Sequence, residues 1–264
     1  MTNDPYSQIV QKLKVVLLIP TYNHAGFLEA VLMDCKPYPI SIIVVNDGST
    51  DDTFTIIERF AKRDDLLGPF YKIHFPKNRG KGAAIKAGAK YAQQLGFESV
   101  ITMDSDGQHF PSDIIHFLEK AIQDPKQIII GTRGFDHDNM PKQNTTANKI
   151  SNFWFRFQTS KNLPDTQSGF RYYPLACFRK MIWLTDRYNF ELEVMVRNIW
   201  RGFQISEIPI QIYYPPIDVR VSHFRPTVDF MRITLLNTLL SILAVLYYYP
   251  KSTILSLFNK NKHK

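Results

Sequence analysis

Short apolar runs alternate, along the first half of the chain, with segments whose apolar residues recur at helical spacing. Residues 14–20 (KVVLLIP) form one continuous apolar run, and residues 40–45 (ISIIVV) form a second. Runs of this kind are typical of strands buried on both faces of a parallel sheet, and the intervening segment, 25–35, predicts a helix. The chain therefore begins as strand, helix and strand.

The same alternation continues to about residue 134. Helices are predicted at 51–63, 82–95 and 113–123, and strands at 71–75, 99–103 and 127–130. This order predicts an α/β fold, a Rossmann-like and mostly parallel sheet with helices on both faces. Ligands of such sheets bind beyond the carboxyl ends of the strands, and the polar clusters of this chain follow its predicted strands.

The last part of the chain predicts an amphipathic helix. After a polar stretch at 136–146 and an aromatic-rich helix at 147–159, apolar residues recur at helical spacing at Val228, Met231, Leu235, Leu239, Ile242 and Leu246. We divide the chain into a main domain, 1–226, and a C-terminal segment, 227–264. Polar interruptions make 233–249 a poor bilayer span, so we expect the helix to lie in a membrane interface. Packing on the domain is the alternative.

Charge and cysteine content narrow the possible partners. The 32 Lys and Arg residues outnumber 24 Asp and Glu, and the net charge of +8 favours an anionic partner. Without zinc-finger, zipper or RNP-type patterns, a phosphate compound or an anionic membrane is favoured over nucleic acid. Cys35 and Cys177 have neither metal-site spacing nor a disulfide framework, and the start of the chain predicts no secretory signal. We expect a cytoplasmic protein; its oligomeric state is not indicated.

An acidic motif follows the predicted strand at 99–103. In extended chain, residues two apart point to the same face, so Asp104 and Asp106 of MDSDGQH should converge. A divalent cation would relieve the repulsion of the two charges, and oxygen ligands favour Mg or Mn. Gln108 could add a carbonyl oxygen, and His109 a nitrogen that favours Mn. A solvated, capped turn is the alternative.

Two other loops have weaker signals. The segment PKNRGKG, 76–82, follows a strand and begins a helix, an arrangement that directs backbone N–H groups and Lys81 towards an anion. It lacks the Walker spacing, so a solvated basic loop is the alternative. Asn46 and Asp47, after the second strand, could accept hydrogen bonds from a base or ribose, or could form an ordinary capped turn.

Together these motifs resemble family-2 glycosyltransferases, in particular the dolichyl- or polyprenyl-phosphate sugar synthases. They are IPTYNH at 19–24, VVNDGSTDDT at 44–53, NRGKGAAIKAG at 78–88, DSDGQH at 104–109, GTR at 131–133 and DTQSGFRYYP at 165–174. The resemblance covers roughly residues 13–232. It implies the A-type glycosyltransferase fold and a nucleotide-sugar donor bound through a divalent metal.

The resemblance also implies roles for individual residues on the donor side. Nucleotide-sugar contacts are expected from Pro20, Tyr22, Asn46, Asp47, Lys81, Asp104 and Arg133, and metal ligands from Asp104, Asp106 and Gln108. Arg133 should lie near the phosphates. His24 stands where related synthases often have an acidic residue, and Asn46 replaces the first acid of the frequent DDGS version. The base, uracil or guanine, therefore stays open.

On the acceptor side, the resemblance implies that Asp165 and Ser168 orient sugar hydroxyls or phosphate. Arg171, with Ser222, His223 and Arg225 of the segment RVSHFR, could bind an acceptor phosphate next to the apolar helix. Glu191 and Glu193 would diverge by about 200° on a helix, so they should not act as a pair. We choose Glu193 as the base if one is used, and structural roles for both are equally open.

These features predict an inverting, metal-dependent glycosyltransferase with Mg or Mn as cofactor. It would move a sugar from a UDP- or GDP-sugar to a polyprenyl phosphate at the cytoplasmic face of the cell membrane, in cell-envelope synthesis. The expected catalytic residues are Asp106, Arg133, Asp165, Ser168 and Glu193. The nearest alternative is a hydroxyl acceptor, because a hydroxyl needs a base whereas a lipid phosphate is already ionised. A nucleotidyltransferase and a nucleotide-sugar sensor are less consistent with the motifs.

Overall fold

The computed structural model describes residues 5–134, 142–214 and 226–253, with the backbone alone for 142–146 and 226. Its helices are α1 Pro5–Leu13, α2 Ala25–Cys35, α3 Thr53–Phe60, α4 Lys81–Gln94, α5 Ile114–Gln123, α6 Lys142–Thr159, α7 Phe190–Trp200 and α8 Pro226–Leu243. Its strands are β1 Val15–Thr21, β2 Ser41–Asn46, β3 Phe70–His74, β4 Ser99–Thr102, β5 Ile128–Arg133, β6 Arg171–Pro174 and β7 Ile205–Ile210.

One seven-stranded sheet organises the described chain, in the order β3-β2-β1-β4-β6-β5-β7. β1 pairs in parallel with β2 and β4, β2 with β3, and β5 with β7. Only β6 runs antiparallel to its neighbours, β4 and β5. The predicted mostly parallel α/β sheet is therefore confirmed.

Residues of β1 alternate between two hydrophobic cores, because side chains of a strand point to opposite faces in turn. Leu17 belongs to the core that includes residues of α2, α3 and α5, whereas Leu18 belongs to the core that includes residues of α4, α6, α7 and α8. Every β1 residue is buried. Helices therefore cover both faces, which explains why this strand has a continuous apolar sequence.

Several element boundaries differ from the sequence predictions. The helix expected from residue 51 begins at Thr53, because Asp51 accepts hydrogen bonds from the backbone N–H groups of Thr53 and Ala25 and so lies outside the helix. β6 is short and its central residues are two tyrosines, so its sequence did not suggest a strand. Sequence analysis also missed α1, α7 and β7.

The C-terminal helix exposes the apolar stripe that the sequence predicted. Leu235 and Leu246 are 73 % and 72 % exposed, whereas Asp229 and Asn237 are buried against the domain. Helical conformation continues through a π turn, Ala244–Tyr248, to Thr253. Within Thr227–Thr253 an 18-residue window has a mean hydropathy of 1.7, so by length and composition alone this helix could cross a membrane. The expected interfacial location of the helix stays a prediction.

Candidate active site

The carboxyl ends of four neighbouring strands meet at one edge of the sheet. β3, β2, β1 and β4 are adjacent and parallel, so the loops that follow them converge. Pro20 is buried near the end of β1, and its carbonyl accepts a hydrogen bond from the Ser105 hydroxyl at 3.2 Å. Tyr22 is the first residue after β1 and is half-buried. The loop from β1 is thus tied to the acidic loop after β4.

Asp47 joins the turn after β2 to the loop that begins α4. Its carboxylate accepts the backbone N–H groups of Arg79 and Gly80, each at 2.7 Å, and the Asn78 amide at 3.0 Å. Gly48 closes the turn with φ +69°, and a Cβ there would lie 2.3 Å from the carbonyl carbon of Lys77. Burial raises the pKa of Asp47 despite the two backbone N–H groups. Contact of Asp47 with a nucleoside stays a prediction.

Asn46 is engaged inside the protein. Its Oδ1 accepts the Ser49 N–H at 2.9 Å, and its Nδ2 lies 3.3 Å from Nδ1 of His74, whose Nε2 is 3.0 Å from Glu58 Oε1. The residue is 3 % exposed. The capped turn is therefore the better interpretation, and the structure argues against a base contact by the Asn46 side chain.

The acidic loop lies beyond β4, which ends at Thr102. The two aspartates are therefore not neighbours on one face of a strand, as the sequence analysis expected. They are brought together by the bend that follows β4. Burial and the neighbouring Asp104 charge raise the pKa of Asp106. The pKa of Asp104 is lowered, because Lys81 and His109 outweigh its burial. The Asp104 charge thus disfavours ionisation of Asp106, and a cation bound between the two carboxylates would relieve this repulsion.

Lys81, the first residue of α4, is the central cation of this cluster. Its Nζ lies 2.6 Å from Asp104 Oδ1 and 2.9 Å from Glu191 Oε2. The two carboxylates raise the pKa of Lys81 although burial opposes this. A Cβ on Gly169 would lie 2.4 Å from Asp104 Oδ2 and 2.7 Å from Lys81 Nζ, so a side chain at this position would displace the pair.

His109 is a possible further metal ligand. Its Nε2 lies 3.9 Å from Asp104 Oδ2, and burial lowers its pKa. Its Nδ1 is buried and has no hydrogen-bond partner among the residues that the structure describes. The main chain of Gln108, the predicted ligand, donates to Asp106 Oδ1 at 3.0 Å and accepts the Tyr213 N–H at 2.9 Å. Among the described residues, no group of three His, Cys, Asp or Glu side chains has metal-site geometry.

Arg133, at the end of β5, forms a bidentate pair with Asp165. Nε donates to Oδ2 at 2.6 Å and Nη2 donates to Oδ1 at 2.9 Å. Asp165 is fully buried and also accepts the Gln167 N–H at 3.0 Å. The pair raises the pKa of Arg133 and lowers that of Asp165, despite burial of both. Asp165 therefore orients Arg133, and the structure argues against its predicted direct contact with sugar or phosphate.

Ser168 and Arg171 are structural residues. The fully buried Arg171 guanidinium donates to the carbonyls of Ser168, Thr166 and Glu191 at 2.5–3.0 Å and to the Tyr173 hydroxyl at 3.0 Å. Ser168 is 2 % exposed, and its Oγ accepts the Phe170 N–H at 3.3 Å. These bonds contradict the expected acceptor-phosphate role of Arg171 and leave Ser168 no access to a substrate. The other expected phosphate ligands, Ser222, His223 and Arg225, lie outside the described residues.

The two glutamates of α7 have opposite surroundings. Glu193 is fully buried and accepts the Leu184 N–H, the Thr185 N–H and hydroxyl, and the Arg197 guanidinium at 2.6–3.1 Å. It holds the segment after β6, and these bonds argue against its predicted use as the base. Glu191, which sequence analysis left without a role in the site, pairs with Lys81 instead. Only the rotation of α7 distinguishes them.

The matching family model identifies the class of protein. Residues 16–183 match Glycosyl transferase family 2, and the chain belongs to this family of enzymes.

Relatives include an uncharacterised protein of Methanocaldococcus jannaschii, 31 % identical over 211 residues, covering 76 % of this chain and 88 % of the relative. A polyprenol monophosphomannose synthase of Mycolicibacterium smegmatis is 28 % identical, covering 75 % of this chain and 76 % of the synthase. A UDP-N-acetylglucosamine–dolichyl-phosphate N-acetylglucosaminyltransferase of Methanococcus voltae is 27 % identical, with coverages of 76 % and 86 %.

The fold resembles that of glucosyl-3-phosphoglycerate synthase from Mycobacterium tuberculosis. The structure with Mn2+, UDP-glucose and phosphoglyceric acid has a TM-score of 0.63 at 15 % identity, covering 92 % of this chain and 84 % of the synthase. The similarity confirms the predicted A-type glycosyltransferase fold.

Proposed function

We propose that this glycosyltransferase moves a sugar, with inversion, from a nucleotide diphosphate to a membrane polyprenyl phosphate. The observation that carries the proposal is the half-buried pair Asp104 and Asp106, with Lys81 Nζ 2.6 Å from Asp104 Oδ1. The Asp104 charge also contributes to the raised pKa of Arg133. Two carboxylates and two cations at one strand edge match a metal-bound diphosphate. The names of the polyprenol- and dolichyl-phosphate relatives support the acceptor.

The residues present fit Mg2+ or Mn2+. Such ions are held by one or two carboxylates and complete their coordination with water and substrate phosphates. Asp104 and Asp106 would supply the protein ligands, and Nδ1 of the buried His109 has no hydrogen-bond partner among the described residues. Gln108 stays a predicted ligand. A bound ion would stabilise negative charge on the leaving diphosphate.

The reaction is a single displacement. A phosphate oxygen of the acceptor attacks the anomeric carbon and forms the new C–O bond, while the bond to the donor diphosphate breaks and its oxygen leaves with the electron pair. In-line attack inverts the configuration. Lys81 and Arg133, held by Glu191 and Asp165, would neutralise the phosphates without reorganising. An ionised phosphate needs no base, which agrees with the fully engaged carboxylate of Glu193.

The test is transfer of label from UDP- or GDP-sugars to extracted membrane lipids with Mg2+ or Mn2+. We expect label in the organic phase that mild acid releases, as for a sugar linked to a lipid phosphate. Acid-stable lipid label would contradict the phosphate acceptor. An Arg133→Lys variant should lose most turnover, because lysine cannot form the bidentate pair with Asp165. The surface variant Arg59→Lys is the matched control.

A hydroxyl acceptor is the second candidate, and Glu191 favours it. Its Oε1 is buried without a hydrogen-bond partner, so this carboxylate, rather than that of Glu193, could receive the hydroxyl proton. The outcome that supports this alternative is an acid-stable product together with loss of turnover, at unchanged donor affinity, in Glu191→Gln.

We also propose a membrane location for the exposed face of α6 and α8. On α6, Ile150, Phe153 and Phe157 are 50 %, 61 % and 41 % exposed and share one side at helical spacing. Gln158 of α6 donates to Asn237 and Ser241 of α8, so the two helices pack against each other. The exposed basic residues Lys149, Arg156 and Lys161 flank it. Apolar helices flanked by cations are suited to an anionic membrane interface.

Contacts along α8 favour an orientation in the membrane plane. They extend from Asn237, bonded to Gln158, to Tyr248, whose ring stacks on Trp200 at 5.7 Å. A helix held lengthwise against the domain exposes its other side to lipid, whereas a spanning helix needs lipid all round. The predicted basic tail with Lys260, Lys262 and Lys264 lies outside the described residues.

Vesicle flotation tests this location. The double variant Phe153→Ser and Phe157→Ser should weaken binding to phosphatidylglycerol-containing vesicles by about tenfold or more, from lost apolar burial. Leu67→Ser is the control, because Leu67 is as exposed as Phe153, at 61 %, and lies in the loop before β3 at the opposite edge. Equal vesicle binding by both variants would refute the surface.

A further inference from the structure

Glu191 has one carboxylate oxygen that no described residue uses. Oε2 pairs with Lys81 at 2.9 Å, whereas Oε1 is buried and accepts no hydrogen bond from the described part of the chain. The residue is 7 % exposed. A buried carboxylate oxygen without a donor is costly, because it loses its water without gaining a protein partner. Such an atom at the edge of a substrate site is explained by a ligand that donates to it.

Its position is fixed by two further contacts. The backbone carbonyl of Glu191 accepts Nη1 of the fully buried Arg171 at 2.7 Å, which fixes the first turn of α7. The Lys81 ammonium restrains the side chain through an ion pair, and the same ammonium also pairs with Asp104. The free oxygen is therefore held in place before any substrate arrives.

The residues of the site lie in a fixed order along the edge of the sheet. Asp47 follows β2, Asp104 follows β4, and Glu191 contacts β6 through Arg171, in the strand order β2-β1-β4-β6. Lys81 lies between Asp104 and Glu191. A donor whose nucleoside lies near Asp47 and whose diphosphate lies near Asp104 has its sugar on the Glu191 side.

We infer that Glu191 binds a hydroxyl of the donor sugar through Oε1. This assignment rests on the proposed donor, and it makes Glu191 a specificity-determining residue. An ionised carboxylate only accepts hydrogen bonds, so it demands an O–H at that position of the sugar. A site built to bind a hydroxyl discriminates strongly against the analogue that lacks it, because its buried polar group is then left unpaired.

The variant Glu191→Gln should remove the proposed contact with the sugar hydroxyl while keeping an oxygen that accepts from Lys81. Glutamine keeps one oxygen for the ammonium, and its NH2 group takes the place of Oε1, where it cannot accept the sugar hydroxyl. Glu119→Gln is the matched control, since Glu119 is an exposed helical glutamate with a side chain 55 % exposed. Thermal unfolding establishes that each variant is folded.

Calorimetric titration in Mn2+ with UDP, UDP-glucose, GDP and GDP-mannose is the experiment. In Glu191→Gln we expect about tenfold or greater loss of affinity for the nucleotide sugar that wild type binds, and less than about threefold loss for the matching nucleotide. Equal losses for both, or none for the sugar form, would overturn the inference. Absence of any nucleotide binding by wild type would overturn the proposed function, and the inference with it.

A second measurement compares deoxy donors, and its first part needs only the wild-type chain. Within a set of donors that each lack one sugar hydroxyl, one deoxy donor should bind wild type about tenfold more weakly and show no further loss in Glu191→Gln. Equal binding of every deoxy donor to wild type would overturn the inference even if Glu191→Gln did not fold.

Discussion

Replacing Glu193 by glutamine should destabilise the protein without removing a reacting group. The carboxylate accepts two backbone N–H groups, a hydroxyl and the Arg197 guanidinium, so every described donor around it is directed at an oxygen. Glutamine keeps one oxygen and turns an NH2 group towards the remaining donors. Removing one partner of a buried ion pair lowers the free energy of unfolding by about 3–5 kcal/mol. Because glutamine retains one oxygen, we expect a loss of about 3 kcal/mol.

Urea unfolding followed by far-UV circular dichroism measures this loss directly. A loss of about 3 kcal/mol corresponds to a Tm decrease of about 6–12 °C for a domain of this size. Turnover per folded molecule, measured well below the lowered Tm, should stay within about threefold of wild type, because Glu193 is fully buried. Glu119→Gln should change neither quantity.

The decisive result is the combination of the two measurements. Unchanged stability with turnover lowered by about 100-fold or more, a loss typical of a missing general base, would refute the structural role and restore Glu193 as the base. Reduced stability with normal turnover would leave Glu191 as the glutamate of the site.

Three other predictions concern the acidic cluster. Asp106→Asn should raise the Tm measured in EDTA, since it removes a charge that burial and Asp104 disfavour. The same variant should lose turnover and should show no Tm increase when Mn2+ is added. Near-normal turnover would exclude Asp106 as a ligand. The raised pKa of Asp106 means that the folded state retains a proton that the unfolded state loses near about pH 3.9. Wild-type stability relative to Asp106→Asn should therefore fall as pH rises from there through the folded pKa, and a pH-independent difference in unfolding free energy would contradict this. Gly169→Ala should weaken Mn2+ binding, measured by electron paramagnetic resonance, because its Cβ would displace Asp104 or Lys81; unchanged Mn2+ affinity would show that the pair adjusts freely.

The sequence determined most of the parallel part of the fold. The apolar runs at 14–20 and 40–45 correspond to β1 and β2, and the helix expected at 25–35 is α2. A strand buried on both faces can be recognised from a short stretch of sequence, because nearly all its residues are apolar. The acidic motif after β4 was recognisable for a related reason, since charges directly after a buried strand are unusual.

Tertiary structure alone decided which polar residues belong to the site. Arg171 and Glu193 have the residue types of ligands, yet both are fully buried and are bonded to protein groups of other elements, such as the Glu191 carbonyl and the Leu184 N–H. Glu191 and Glu193 are about 200° apart on a helix, so their roles depend on how α7 is rotated against the sheet. That rotation is set by the packing of residues such as Phe190 and Met195 in the second core. Local sequence fixes the angle between the two glutamates, but long-range packing chooses the one that faces Lys81.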